Sequence, residues 1–252
     1  MEAGCWGHGR KIRFGIVPGI RTISRGMSIV YEERRSDSPF VEAVTHGRTE
    51  SDGSTVRPAE CRWHLVVVRQ AGEARALVVG PLTGAGLATW DAGAEILWIK
   101  FALGTFMPHV PARKLLDTET VLPEATSKSF GLGGSAWPFP DHENADVFVE
   151  RLVREGVLAR DPIVGAASTG RPPQGLSPRT LRHRFLTATG LAQGAVHQVE
   201  RANRAAVRLR RGVPIPDVVH EEGYFDQSHM TRSLKRWVGH TPARITTVRG
   251  PD

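Results

Sequence analysis

Residues 168–175 divide this chain into two parts, because they read Ser-Thr-Gly-Arg-Pro-Pro-Gln-Gly. The prolines remove backbone donors and the glycines favour turns, so this stretch interrupts any helix or strand. Strand-length apolar runs precede it, and apolar residues at helical spacing follow it. We therefore predict a domain boundary at this stretch or slightly before it, with residues 161–252 forming the C-terminal domain.

The part before this boundary has the pattern of a β-sheet. Residues 1–40 mix Gly, Arg and Ser with few periodic apolar positions, and we predict an arm that is extended or poorly ordered. Residues 41–160 contain short runs rich in Val, Ile and Trp, bounded by turn residues. The clearest runs are residues 63–68, 74–79 and 95–101. Their spacing predicts an antiparallel sandwich or small barrel, followed by a helix over 144–158 with Asp141 as its N-cap.

The net charge is concentrated in the C-terminal part. Residues 171–252 contain 14 Lys and Arg against 6 Asp and Glu, whereas the remaining residues contain 19 and 20. A basic excess confined to one segment is typical of a module that meets phosphate or another acidic surface. The alternative is a solvated basic surface that only aids solubility.

Several other classes of function have no support in the sequence. Cys5 and Cys61 are far apart and fit neither a disulfide framework nor a zinc finger. The histidines of the sheet-like part stand alone, without the H-x-H pair of a cupin metal site, so we expect no metal, cofactor or catalytic residue. These histidines are His46, His64, His109 and His142. No apolar run approaches the roughly 20 residues that cross a bilayer, and no secretion signal is recognisable, so we expect a cytoplasmic protein away from the membrane.

The first helix after the boundary has clear start and stop signals. Ser177 can cap it, Pro178 suits its first position, and Gly190 can end it. Leu181 and Phe185 are four residues apart and therefore share one face, which we expect to be buried.

Three further helices follow. We predict the second over residues 193–211 and the third after Pro214. Gly223 makes a turn, Asp226 is a good N-cap, and the fourth helix runs over residues 227–238. Its polar and cationic side chains lie opposite its apolar face. A helix, a glycine-containing turn and a second helix of this kind are typical of a helix-turn-helix.

Two motifs in this segment resemble the C-terminal domain of the AraC/XylS transcription regulators. Residues 223–242 read G-Y-F-D-Q-S-H-M-T-R-S-L-K-R, two further residues and G-H-T-P, similar to the family pattern G-F-x-D-x-S-x-F-x-R-x-F-K-R-x-x-G-x-T-P. Met230 and Leu234 replace two phenylalanines of that pattern. Residues 179–190 resemble the R-x-L-x-R-x-F and T-G of the family's first unit. The resemblance implies two recognition helices joined by a long central helix.

This chain departs from the family pattern just before the first recognition helix. The family usually has a regular positioning helix there, whereas this chain has the Gly- and Pro-rich stretch. A short helix at residues 162–167 is the candidate that replaces it.

Carried over residue by residue, the resemblance implies a set of DNA contacts. The first recognition helix would expose Arg179, Arg182 and His183, and the second Gln227, Ser228, His229 and Arg232. Arginine can bond guanine O6 and N7, and glutamine can pair with adenine, so these residue types suit reading of bases. Lys235 and Arg236 are expected to meet phosphates, which position a protein without reading sequence.

The resemblance also gives an expectation for the first part of the chain. In this family a sheet-rich N-terminal half often senses a small molecule or mediates subunit pairing, and many such halves resemble the cupin barrel. We therefore predict an α+β chain, with a cupin-like antiparallel sandwich or barrel followed by an all-α tandem helix-turn-helix domain. Double-stranded DNA is the expected partner. A small-molecule effector, RNA polymerase and a second copy of the chain are further partners open to such a regulator.

Two other functions stay open at this point. One is a cupin-like enzyme with a DNA-binding appendage, which stoichiometric bound metal would support. The other is an interaction scaffold whose basic helices bind acidic protein. Salt-dependent binding to duplex DNA with a sequence preference would count against the scaffold.

Overall fold

The computed structural model describes residues 29–168 and 175–247. Within them a sheet-rich antiparallel region is followed by a helical region, which confirms the predicted fold class. The strands are β1 (Ile29–Arg35), β2 (Val41–Thr49), β3 (Gly53–Arg57), β4 (His64–Gln70), β5 (Glu73–Val79), β6 (Gly86–Trp90), β7 (Glu95–Phe101), β8 (Thr105–Phe106), β9 (Glu119–Val121), β10 (Glu124–Thr126), β11 (Ser129–Leu132), β12 (Ser135–Pro138) and β13 (Ala159–Arg160). The helices are α1 (Ala145–Arg154), α2 (Pro162–Ser168), α3 (Pro178–Thr189), α4 (Gln193–Arg210), α5 (Ile215–Glu221), α6 (Gln227–Trp237) and α7 (Pro242–Thr247), with a 3-10 helix at Ala112–Leu115.

A six-stranded antiparallel sheet forms the centre of the first region, in the order β1-β2-β7-β4-β5-β9. The three predicted runs become β4, β5 and β7, which lie side by side. Their register places Val66 of β4 opposite Leu77 of β5 and opposite Trp98 of β7. Between β5 and β7 the chain leaves this sheet, and β6 pairs with β3 in a separate two-stranded sheet.

The central strands are buried on both faces, which explains their continuous apolar sequences. Leu65 of β4 lies in one core with Trp137 of β12 and Phe148 of α1. The next residue, Val66, lies in a second core with Trp90 of β6. Successive residues of a strand point to opposite faces, so a strand covered on both sides needs no polar alternation.

Helix α1 corrects one detail of the sequence analysis. Its N-cap is Asn144, so the prediction of Asp141 is wrong. The Asp141 carboxylate instead accepts hydrogen bonds from the backbone N–H groups of Glu143 (3.1 Å) and Asn144 (2.8 Å). Aspartate is favoured in turns as well as at caps, because its short side chain bonds nearby amides in both settings. The pattern alone therefore located the turn but placed the start of the helix too early.

Strand β1 lies within the residues that were predicted to form an arm. It pairs with β2 along its length, from Ile29 opposite Thr49 to Arg35 opposite Ala43. Residues 1–28 of that arm and residues 169–174 of the predicted boundary lie outside the described residues. No helix within 29–168 and 175–247 is long and apolar enough to cross a membrane.

The helical region packs directly against the sheet-rich region. Phe185 of α3 and Met230 of α6 share one core, and α2 adds Val164 to it, so the short helix predicted at 162–167 is present. The same core includes Ala59 and Leu103 from the sheet-rich region. The two regions are therefore joined by apolar packing as well as by the chain.

Candidate nucleic-acid interface

Helix α3 carries the first group of candidate DNA contacts. Ser177 Oγ accepts a hydrogen bond from the Thr180 backbone N–H (3.1 Å), and the chain leaves the helix through Gly190 at φ 73°. Phe185 is fully buried, so the helix is oriented by its apolar face. The side chains predicted to read DNA from this helix are all exposed. They are Arg179, Arg182 and His183.

Helix α6 repeats this arrangement. The Asp226 carboxylate accepts a hydrogen bond from the His229 N–H (2.6 Å), as predicted for the N-cap. Met230, Leu234 and Trp237 are buried, which fixes the inward face of the helix. The exposed predicted contacts are Gln227, Ser228, Arg232, Lys235 and Arg236.

Two of the predicted contacts on α6 also have partners within the protein. His229 is half-buried, its ring lies edge-on to Tyr224 (5.3 Å between centroids), and its Nδ1 accepts a hydrogen bond from the Phe225 N–H (3.4 Å). The Arg236 guanidinium lies 4.3 Å from the centre of the Trp237 ring. Both side chains therefore help to order α6, and their contacts with DNA stay predictions.

Helix α4 joins the two units. Its 18 residues correspond to a length of about 27 Å. The buried Glu222 carboxylate, just after α5, receives Nε of Arg204 (3.1 Å) and Nε of Arg208 (3.0 Å), both on α4. These ion pairs fix α5 against α4. The role of Glu222 could not be predicted from the sequence, because no local pattern indicates which carboxylate is turned inward.

The sheet-rich region contacts both units. Asp161, directly after β13, accepts a hydrogen bond from Arg184 of α3 (2.9 Å) and donates its own N–H to the Gly104 oxygen (2.8 Å), so it links α3 to the sheet-rich region. At the other unit, the last residues of α6 provide two backbone acceptors: the Trp237 oxygen receives the Ala59 N–H (2.6 Å) and the Arg236 oxygen receives the Ala85 N–H (3.0 Å). These contacts hold the C-terminal end of α6 against the sheet-rich region and leave its N-terminal end exposed.

A cluster of charges lies where α4 meets the sheet-rich region, and it is largely shielded from solvent: Lys100 is buried, Glu60, Arg62 and Glu200 are half-buried, and Glu42 is exposed. The Arg62 guanidinium lies 2.5 Å from Glu200 of α4 and 3.3 Å from Glu60, and it also pairs with Glu42. Lys100 Nζ lies 2.9 Å from Glu42 and 3.1 Å from Glu60. Burial alone would raise the pKa of Glu60, but the nearby charges of Lys100 and Arg62 lower it to about 2. Glu60 is therefore ionised, and the nearby Lys100 and Arg62 stabilise its charge.

His64 lies beside this cluster on β4. Neither ring nitrogen has a hydrogen-bond partner among the described residues. Burial, followed by the nearby Arg57 guanidinium, lowers the pKa of His64 to about 3, so the ring is neutral. Within 29–168 and 175–247 no three His, Cys, Asp or Glu side chains form a group that could hold a metal ion.

The helical region matches a known protein family. A family model described as a helix-turn-helix domain matches residues 174–247. This segment is a helix-turn-helix domain of the AraC type. The match contains both α3 and α6, so the two exposed helix faces described above belong to one such domain.

Two known proteins are similar to the chain. The HTH-type transcriptional regulator RipA of Corynebacterium glutamicum is 35% identical over 74 residues, which cover 29% of this chain and 22% of that protein. The crystal structure of ToxT from Vibrio cholerae O395 has a TM-score of 0.40 and 8% identity, and covers 89% of this chain and 99% of that chain. The similarity to RipA thus concerns about a fifth of that regulator's length.

Proposed function

We propose that the chain is a sequence-specific DNA-binding transcription regulator whose helices α3 and α6 enter adjacent segments of the major groove. One observation carries the proposal: both helices bury an apolar face in a shared core and expose donors on the opposite face. Side chains of these types can read guanine and adenine from the major groove. The helix-turn-helix family model matches the segment that contains both helices, and the relative RipA is named a transcriptional regulator.

The exposed residues divide into two roles. Those near the helix N-termini suit base edges, because a recognition helix meets bases through its N-terminal residues. They are Arg179, Arg182, His183, Gln227, Ser228 and, one turn further on, Arg232. His229 can contact a base only through Nε2, because its Nδ1 accepts the Phe225 N–H. Lys235 and Arg236 follow near the C-terminal end of α6 and suit phosphates.

The length of α4 supports binding by one chain to two groove segments. Its length of about 27 Å is close to the roughly 34 Å between successive major-groove faces on one side of B-DNA. The two units differ in sequence, so we propose a non-palindromic site. Hydroxyl-radical footprinting tests this: two protected segments per chain support the proposal, and one segment per chain contradicts it.

The function itself is tested with the full chain. Selection from a random duplex pool yields a preferred site, and fluorescence anisotropy then measures affinity for that site and for bulk competitor over a range of salt concentrations. We expect a preference of at least about a thousandfold and affinity that falls as salt rises. Equal affinity for all duplexes would contradict a sequence-specific regulator. The charge-removing variant Arg75→Ala, on the exposed surface of β5, is the control and should not change binding.

The first region is assigned a supporting role in the same proposal. We infer that the sheet-rich region, which begins no later than β1, is a sensor or pairing domain as far as residue 160, and that residues 161–252 form the DNA-binding domain. Its partners would be a small-molecule effector, RNA polymerase or a second copy of the chain, and the protein would act in the cytoplasm without enzymatic activity. Light scattering of the DNA complex tests subunit pairing directly, because one and two chains per site give different masses.

A further inference from the structure

Phe225 has the most exposed large apolar side chain of the described residues, at 91%. Phenylalanine is usually buried, because removing its ring from water stabilises a protein. An aromatic ring left in water is therefore informative when it stands beside a candidate binding surface. Phe225 is such a case, because it immediately precedes Asp226, the N-cap of α6.

The ring has no structural role in the helix that follows it. A residue just before an N-cap often packs against the fourth helical residue as a hydrophobic staple, and that residue here is Met230. Met230 is fully buried while Phe225 is almost fully exposed, so this contact does not exist. The backbone at Phe225 is nevertheless fixed, because its N–H is bonded to His229 Nδ1 (3.4 Å). The structure thus holds an unpacked ring at a defined place.

That place is the end of α6 that would enter the groove. The first two residues of α6, Gln227 and Ser228, are exposed candidates for base contacts. A phenyl ring has no donor or acceptor, so it cannot bond phosphates or the polar edges of bases. The apolar group that DNA displays in the major groove is the C5-methyl of thymine.

We propose that Phe225 recognises a thymine in the target site by packing its ring against the C5-methyl group. This inference rests on the DNA-binding function proposed above. Phe225 would then be a specificity-determining residue that acts through apolar contact beside the hydrogen-bonding side chains of α6. It selects thymine against cytosine, which lacks the methyl group at that position.

The test replaces single thymines by deoxyuridine in the preferred duplex. This change removes only the methyl group and keeps base pairing and the O4 acceptor. For the full wild-type chain, we expect one or two positions in the half-site of α6 at which affinity falls about fourfold, as expected for loss of about 0.8 kcal/mol per apolar carbon. Phe225→Ala should bind the thymine duplex about fourfold more weakly and respond no further to deoxyuridine at those positions.

Two variants complete the design. Phe225→Leu keeps an apolar side chain and should keep part of the response to deoxyuridine. Val147→Ala shortens another exposed apolar side chain, 67% exposed on α1 and outside the helix-turn-helix domain, and should behave as wild type. Thermal unfolding of each variant checks that the fold is retained, which is expected because both side chains lie in solvent.

The outcomes separate this inference from the function on which it rests. A wild-type chain that prefers one sequence but tolerates every deoxyuridine overturns the role of Phe225 alone. The same holds if Phe225→Ala remains as sensitive to deoxyuridine as wild type, or if it binds the thymine duplex with unchanged affinity. A wild-type chain without any sequence preference overturns the proposed function, and the role of Phe225 with it.

Discussion

Replacing Arg62 by methionine removes a cation that joins the sheet-rich region to α4. The Arg62 side chain is only 16% exposed, and its guanidinium lies 2.5 Å from Glu200 and 3.3 Å from Glu60. Methionine has a similar length and can keep the apolar packing of the arginine stem. The variant therefore leaves the cluster with three carboxylates, of Glu42, Glu60 and Glu200, against the single ammonium group of Lys100.

Breaking a buried ion pair on one side costs about 3–5 kcal/mol, because an uncompensated charge stays buried. The exposed pair of Arg75 and Glu73 provides a matched comparison. Its N–O distance is 2.6 Å, but its side chains are 49% and 66% exposed. An exposed pair of this kind contributes about 0–1 kcal/mol. Since the shortest distances are nearly equal, the contrast between Arg62→Met and Arg75→Met reports burial together with the number of carboxylates that each arginine meets, three for Arg62 and one for Arg75.

Urea unfolding followed by tryptophan fluorescence measures both variants. We expect the free energy of unfolding to fall by about 3–5 kcal/mol for Arg62→Met and by less than about 1 kcal/mol for Arg75→Met. A double-mutant cycle with Glu200→Gln should give a coupling of about 0.5–3 kcal/mol, which reports the contact between the two regions. A loss below about 1 kcal/mol for Arg62→Met would refute the reasoning, because the cluster would then have to be screened by solvent.

The same variant should change the response to acid. The pKa of Glu60 in the folded chain, about 2, lies below its ordinary value of 4.5. Its contribution to stability is therefore present above about pH 4.5 and lost as the pH falls towards 2. Arg62→Met removes one of the cations that lower this pKa, so its stability should depend less on pH in this window. An unchanged slope would show that Arg62 does not set the ionisation of Glu60.

Three further predictions concern the DNA-reading surface, the buried histidine and the contact between the regions. Arg232→Ala should weaken binding to the preferred site by about 1–3 kcal/mol and flatten discrimination at one or two base positions, whereas Lys235→Ala should weaken all sequences alike and reduce the salt slope by about one. Competition with single-base variants decides this, and a uniform loss for Arg232→Ala would show that it reads no base. The pKa of His64, about 3 in the folded chain against an ordinary 6.5, means that the unfolded chain binds an extra proton between these values. The free energy of unfolding should therefore fall by about 2 kcal/mol from pH 7 to pH 5. In urea unfolding at several pH values, His64→Gln should remove this part of the dependence of stability on pH. The same dependence in both proteins would exclude His64 as its source. Gly190→Ala should cost about 1–3 kcal/mol more than Gly223→Ala. Both glycines have positive φ (73° and 67°), so both substitutions strain the backbone. A Cβ at position 190 would also lie 2.9 Å from the backbone of the 3-10 helix, whereas a Cβ at position 223 meets nothing within 4 Å. Equal thermal destabilisation of the two variants would therefore contradict the close contact at Gly190.

Helix boundaries in the second half could be predicted because their signals are local. Ser177 and Asp226 cap α3 and α6 through hydrogen bonds that span three residues, and Gly190 ends α3 in the left-handed region. Such interactions depend on neighbours in the sequence, so they are visible in it. The exposed face of each helix follows from the same periodicity, which is why the candidate DNA contacts were found together on two surfaces.

The junction between the regions could not be predicted. Arg62 and Glu200 are separated by 138 positions, and no spacing rule connects them. Charged residues are usually at the surface, so sequence alone gives Glu60 and Lys100 no reason to be buried. The sheet order was hidden for the same reason, because β7 pairs between β2 and β4 through long-range contacts. Features set by neighbouring residues, such as helix caps, can thus be predicted from the sequence, whereas features set by distant partners, such as this ion pair and the strand order, cannot.

The attachment of α6 to the sheet-rich region has a consequence for how this protein can change over time. The hydrogen bonds from Ala59 and Ala85 to the last carbonyl groups of α6 use main-chain atoms only. Every residue except proline supplies the same N–H, and every residue supplies the carbonyl. Ala59 and Trp237 are also held by the apolar core, but Arg236 is exposed and Ala85 is half-buried. The side chains at positions 85 and 236 can therefore change independently without breaking their main-chain bond. This attachment of α6 would persist as the sequence changes, and it would leave no covariation between positions 85 and 236 in related chains.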